Sequence, residues 1–196
     1  MNTQLAEILR LLRNIIRIGT VAAVNPAEGV CRVDTGNNTT GWLPWLSARA
    51  GKTRAWSAPS QGEQVLVLCL GGELETGFVL PGIFSDVHPA PSASAEALHW
   101  SFADGAELAY EPQTGALHAS GIRTASISAA EKILLDAPLV ECTSLLKTAQ
   151  LNVTAGGSLQ GDVSHSGGQL SSNGVVVDTH DHGGVQRGGS RTDGPK

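Results

Sequence analysis

LNVTAGGSLQGDVSHSGGQLSSNGVVVDTHDHGG, residues 151–184, decides how this chain can fold. Leu151, Val153 and Ala155 alternate, and so do Leu159, Gly161 and Val163. That period of two places successive apolar side chains on one face of a strand. Gly156-Gly157, Gly167-Gly168 and Asn173-Gly174 punctuate the pattern. The regime begins near Ser126, with Ile133 and Leu135 in the same alternation. No aromatic ring occurs after Tyr110, since Trp42, Trp45, Trp56, Phe78, Phe84, Trp100 and Phe102 all precede it. Without aromatics a segment builds no thick core of its own. It is neither highly charged nor devoid of apolar pattern, so it does not read as disordered. Short aromatic-free strands at near-regular spacing predict a narrow β-helix or fibre repeat. A single copy would leave strand edges unpaired and an apolar face wet, so the segment predicts an oligomer winding round one axis.

Working toward the N-terminus, residues 98–106 and 106–120 predict a hairpin or meander, with turns at Asp104-Gly105 and Thr114-Gly115. Residues 88–97, HPAPSASAEA, read as a linker. Before it, candidate strands lie at 19–24, 30–34, 41–45, 63–70 and 76–83. The turn signals between them are Asn25-Pro26, Gly36-Asn37-Asn38, Pro59-Ser60-Gln61-Gly62 and Gly71-Gly72. Five short strands in so small a space predict a closed barrel of the OB kind. Residues 2–17 predict a helix, with Leu5, Ile8, Leu12 and Ile15 at i, i+3, i+7 and i+10. Those positions form an a/d seam with isoleucine at d, which leans toward three or more strands. An amphipathic helix packed on its own domain reads equally well.

The chain has 196 residues, with charged residues at 16%, a formal charge of −5 and 24 glycines. A net negative charge gives no basic field, which counts against a dedicated nucleic-acid binder or a membrane-surface protein. Arg49, Lys52 and Arg54 form one small loop cluster, not the basic aromatic-lined groove that single strands require. Cys31, Cys69 and Cys142 are odd in number and widely spaced, so they predict reduced, buried thiols of a protein made in the cytoplasm, not a disulfide framework or zinc knuckle. Residues 8–18 are interrupted by Arg10, Arg13, Asn14 and Arg17, so neither a signal peptide nor a membrane span is expected.

The sharpest candidate for chemistry is His180-Asp181-His182. In a strand both imidazoles project to one side. One chain offers two nitrogens, whereas three chains round an axis offer six, an octahedral shell suited to a transition metal. The bland alternative is a polar stretch of a frayed, glycine-rich tail. Glu73 and Glu75 read as charged turn residues, and His88, His99, His118 and His165 are isolated. GxSxG, HExxH, P-loop and GxGxxG are all absent, so no enzyme is expected.

Two blocks carry a resemblance. PSQGEQVLVLCLGGELETGFVLPGIFSD, residues 59–86, resembles the barrel signature of phage baseplate assembly protein V, the central membrane-piercing spike of contractile tails. GDVSHSGGQLSSNGVVVDTHDHGG, residues 161–184, resembles the spike tip of that family, which includes the R-type pyocin spike. The blocks occur in the family's order, and the likeness covers about residues 10–190. Type VI secretion spikes share the architecture but are longer and carry a separate cap. The resemblance implies an all-β homotrimer: an N-terminal helix at 1–17, an OB barrel at 18–87 on a baseplate hub protein, and a linker at 88–97. A hairpin region and an intertwined β-helix at 98–182 and an apex at 183–196 would follow. Relatives hold iron in the apex through HxH histidines that match His180 and His182, which implies one Fe(II) per trimer with six His ligands. Some relatives place a third histidine where this chain has Asp178. The implied location is the tail tip of a virion or tailocin, meeting the bacterial outer membrane. The rival reading is an OB nucleic-acid-binding module with a disordered C-terminal tail.

Overall fold

The computed structural model describes residues 3–181, 183–184 and 188–189, in two compact units, 1–128 and 129–196. In the first unit, helix α1 (Thr3–Asn14) leads into β1 (Ile16–Asn25), β2 (Val30–Asp34), β3 (Leu43–Pro44), β4 (Gln64–Cys69) and β5 (Gly77–Ile83). The sheet order is β3-β2-β1-β4-β5, antiparallel throughout its ladders. β1 is long enough to serve two partners. Its first half, from Ile16 to Thr20, pairs β4, while Thr20 to Asn25 pairs β2. A bulge between Val21 and Ala23 bends it at the handover, and bulges sharpen strand twist in this way. The sheet curls until its edges meet at a single parallel bridge, Trp45 to Val79, reinforced where Leu46 N–H donates to the Val79 carbonyl at 2.8 Å. This is the OB-like sheet that the strand spacing predicted.

Alternation decides what lies inside. β4 points Val65, Val67 and Cys69 inward, where they meet Val21, Cys31, Val33, Leu43 and Val79. The core is thus small and β-branched, with no aromatic among its fully buried members. Burial pushes the Cys31 thiol up to about 11, helped by the charge of Glu63, and raises Cys69 as well. Both stay protonated at neutral pH and act as small apolar side chains. Thr40 is buried without penalty, because its hydroxyl accepts from Val33 N–H at 3.0 Å and donates to the Gly41 carbonyl.

Gly19 sits where β1 crosses β2, and a Cβ there would lie 2.5 Å from Val33 Cγ1 and 2.6 Å from the Asp34 carbonyl oxygen. Backbone on one side and a core valine on the other leave no room to yield. Gly19→Ala should therefore destabilise the barrel by about 1–3 kcal/mol in chemical denaturation. An unchanged midpoint would contradict this packing.

The helix ends earlier than its periodicity suggested. Ile15 N–H still reaches the Leu12 carbonyl at 3.4 Å, but Ile16 and Ile18 belong to β1. Three β-branched residues in this run, and the ladder offered by β4, favour the strand. The strand predicted at 41–45 shortens to β3, and 76–83 is preceded by a 3-10 turn at Leu74–Thr76.

The second sheet of this unit is the expected meander: β6 (Leu98–Ser101), β7 (Glu107–Glu111) and β8 (Ala116–Ser120). Gly105 turns the first hairpin at φ +84°, and Asp104 caps it by accepting from Ala106 N–H at 3.1 Å.

Among the described residues of the second unit only β9 (Ser171–Ser172) and β10 (Val175–Val176) form a ladder. Asn173 (φ 49°) and Gly174 (φ 84°) both adopt left-handed conformations, the requirement of a two-residue I′ hairpin turn.

Candidate functional site

From Gly121 to Leu170 the backbone forms no strand ladder within the chain. Fourteen large aliphatic side chains in that span are exposed, from Ile122 to Leu170, and among the described residues none after Ala106 is buried. Leu159, at 84% exposure, is the extreme. A soluble protein does not leave so continuous an apolar surface wet without a partner.

The surface has a period that pairwise alternation did not disclose. Ile127, Ile133, Leu139, Leu145 and Leu151 recur every six residues, and Val163 falls two periods further, past Gly157. A hexad is the repeat of a β-helical winding, where each turn must bring equivalent residues to the same place. Pairs such as Leu151/Val153 and Leu159/Val163 masked it, because a period of two is contained within a period of six.

The meander adds a second uncovered face. Its register sets Leu98 beside Tyr110 and Leu117, and Trp100 beside Leu108. All five share one side of the sheet, and all five are exposed. His99 and His118 lie on the opposite side, across Ala109.

The barrel carries a third surface. Trp45 and Trp56 form a tilted pair, 5.3 Å between centroids with their planes at 59°, and the Arg32 guanidinium lies 5.9 Å from the Trp42 ring centre. The loop bearing Trp56 is folded on itself, with Ser47 Oγ donating to the Ala55 carbonyl at 2.6 Å. Trp42 and Trp56 are exposed, whereas Trp45 packs against the core, so two of the barrel's three tryptophans serve its surface. Aromatic anchors rimmed by polar groups are what interface hot spots consist of.

Of the predicted metal ligands, His180 is described and His182 lies outside the described residues. His180 Nδ1 is 2.7 Å from the Val177 carbonyl oxygen. With Nδ1 as the donor to that carbonyl, an acceptor role at the ring would fall to Nε2. Ligating histidines are commonly oriented by this backbone contact. The ring therefore fits metal coordination through Nε2. No cluster of three or more metal-ligating side chains occurs among the described residues of one chain. Asp178 and Asp181 flank the ring in sequence. Glu73 accepts from Arg10 Nη2 at 3.0 Å, and Glu75 lies in the 3-10 turn Leu74–Thr76. No helix among the described residues is long and apolar enough to cross a membrane.

Comparison with known proteins divides the chain along the same lines. The family described as the type VI secretion system/phage-baseplate injector OB domain matches residues 17–84. The phage spike trimer family matches residues 121–173, which include the whole ladder-free span 121–170. The GpV apex motif matches residues 174–196, which include both histidines. The spike protein of Escherichia phage P2 is 49% identical over 205 residues, covering 96% of this chain and 97% of the relative.

Proposed function

The chain belongs to the phage spike protein family, and from that membership we propose that it is the homotrimeric central spike of a contractile-tail baseplate, driven through the bacterial outer membrane when the sheath contracts. The observation that carries this reading is the uncovered hexad surface of residues 121–170, within the segment matched by the spike trimer family. Three copies winding together supply each other's missing backbone partners and bury the hexad residues round the axis. A winding without free edges resists unravelling along its length, which is the load a piercing element meets. The role is mechanical. No catalytic step is needed, and no catalytic arrangement is assembled by the candidate carboxylates.

The apex supplies the second part of the reading. His180 and His182 of three chains would hold one iron ion as Fe(II) in a six-nitrogen shell. Its chemistry there is structural: with no open position it ties three C-termini that would otherwise fray. Zinc favours four ligands in structural sites, which is why iron is the choice. The barrel supplies the third part. Its exposed Trp42 and Trp56 give the baseplate hub protein an anchoring surface.

The nucleic-acid reading finds no support. A tail match to a spike trimer and a −5 chain both stand against it.

Purified tail particles test the assignment. Quantitative mass spectrometry should find three copies per particle, and triggered contraction against dye-loaded vesicles of outer-membrane lipid should release the dye. Particles that contain no copy of the chain, or that release dye equally when assembled without it, would overturn the proposal.

A further inference from the structure

The two sides of helix α1 are used in the reverse of the ordinary way. Its polar side faces its own barrel. Arg10 bridges Glu7 at 2.7 Å and Glu73 at 3.0 Å, and Asn14 is buried, accepting from Arg17 Nη1 at 3.1 Å. The backbone at Leu11 approaches the Gly72 turn so closely that a Cβ on Gly72 would collide with the Leu11 carbonyl. Gly72 also has φ +79°, so the contact is built on a residue only glycine suits. On the helical wheel Glu7, Arg10, Leu11 and Asn14 therefore lie inward. Leu5, Ile8 and Leu12 lie on the other side, and Ile15 continues them just past the helix end. All four are exposed, Ile8 and Leu12 by 59% and 61%. Of the two sequence readings, a helix packing its apolar stripe on its own domain is ruled out.

We infer that this stripe is covered by the same stripe of the other two copies, so that three α1 helices form a parallel bundle on the threefold axis. Three observations select sister copies as the occupant. The stripe is a heptad seam with leucine at a and isoleucine at d, the combination that favours more than two strands. It carries no charge, whereas the charged residues Glu7, Arg10 and Arg13 all lie off it. Threefold symmetry also brings identical helices together parallel and in register, as a coiled-coil seam requires. Two heptads are too short to associate alone. Within a trimer held elsewhere, the effective concentration of the other helices is in the millimolar range or above (~10⁻³ M), which removes that obstacle. The inference rests on the trimeric reading of residues 121–173.

Disulfide trapping in the full chain separates the two ideas. In a Cys142→Ser background, Cys31 and Cys69 remain buried and no exposed native thiol is left. Leu12→Cys should then give, on mild oxidation, a covalent two-chain species in most of the protein, with the third chain left single. Arg13→Cys, one residue round the helix, should give little. The native mass of the same samples is read in parallel. A trimer in which Leu12→Cys yields no more two-chain species than Arg13→Cys overturns the bundle and leaves the spike reading standing, with the hub protein as the stripe's occupant. A monomer overturns the spike reading itself.

Discussion

Replacing His180 and His182 together by alanine is expected to take the protein from one metal ion per three chains to none. The expectation follows from geometry that one chain only half provides. The Val177 carbonyl lies 2.7 Å from His180 Nδ1, and with Nδ1 donating there an ion would be held through Nε2. With all six imidazoles gone the apex loses its nitrogen donors, and the carboxylates of Asp178 and Asp181 are hard oxygen ligands that do not rebuild a six-nitrogen shell. Elemental analysis of untagged protein measures the change directly. The double variant should remain trimeric, since the hexad winding lies outside the tip, but its last residues should become sensitive to carboxypeptidase. Metal retained in the double variant, or a ratio of one ion per chain in the parent, would refute the assignment.

The second large effect concerns the winding itself. Leu139→Asp with Leu145→Asp places charges at two successive hexad positions, and a trimer contains each of them three times. Each leucine removed from an apolar interior forfeits about 1.5–3 kcal/mol. Across six sites the loss is on the order of 9–18 kcal/mol, before any cost of burying carboxylates. Folded domains have only about 5–15 kcal/mol to lose. The variant should therefore run as single chains of 20.2 kDa, while its barrel keeps the protected amides of β1, β2 and β4. Leu139→Ile with Leu145→Ile should stay trimeric. A fully assembled aspartate variant would mean that these side chains do not face the axis.

The barrel was legible in the sequence because its physics is local. In β4 every second residue is buried, so QVLVLC announces both strand and face, and glycine or proline turns bound it. What escaped were features set by partners. The run Ile15, Ile16, Ile18 continued a helical period, and only the ladder with β4 converts it to strand. The barrel's fully buried core holds valine, leucine and cysteine, with Trp45 packed only against its margin. The inverted α1 could not be read from its heptad, because the Arg10–Glu73 contact joins residues 63 apart.

At the tip, the HxH spacing was visible and the Val177 carbonyl contact was not, since it depends on the turn that follows β10. The oligomeric character of the second half was legible for the opposite reason. Nothing within the chain satisfies Ile127 to Leu151, so their exposure is itself the message.

The central claim is that this chain acts as three copies sharing one winding and one apex ion. Native mass spectrometry of untagged protein tests it in a single measurement. The account predicts a dominant species of three 20.2 kDa chains carrying one iron, with no smaller form at micromolar concentration. A dominant single chain, or a trimer binding one ion per chain, would contradict it.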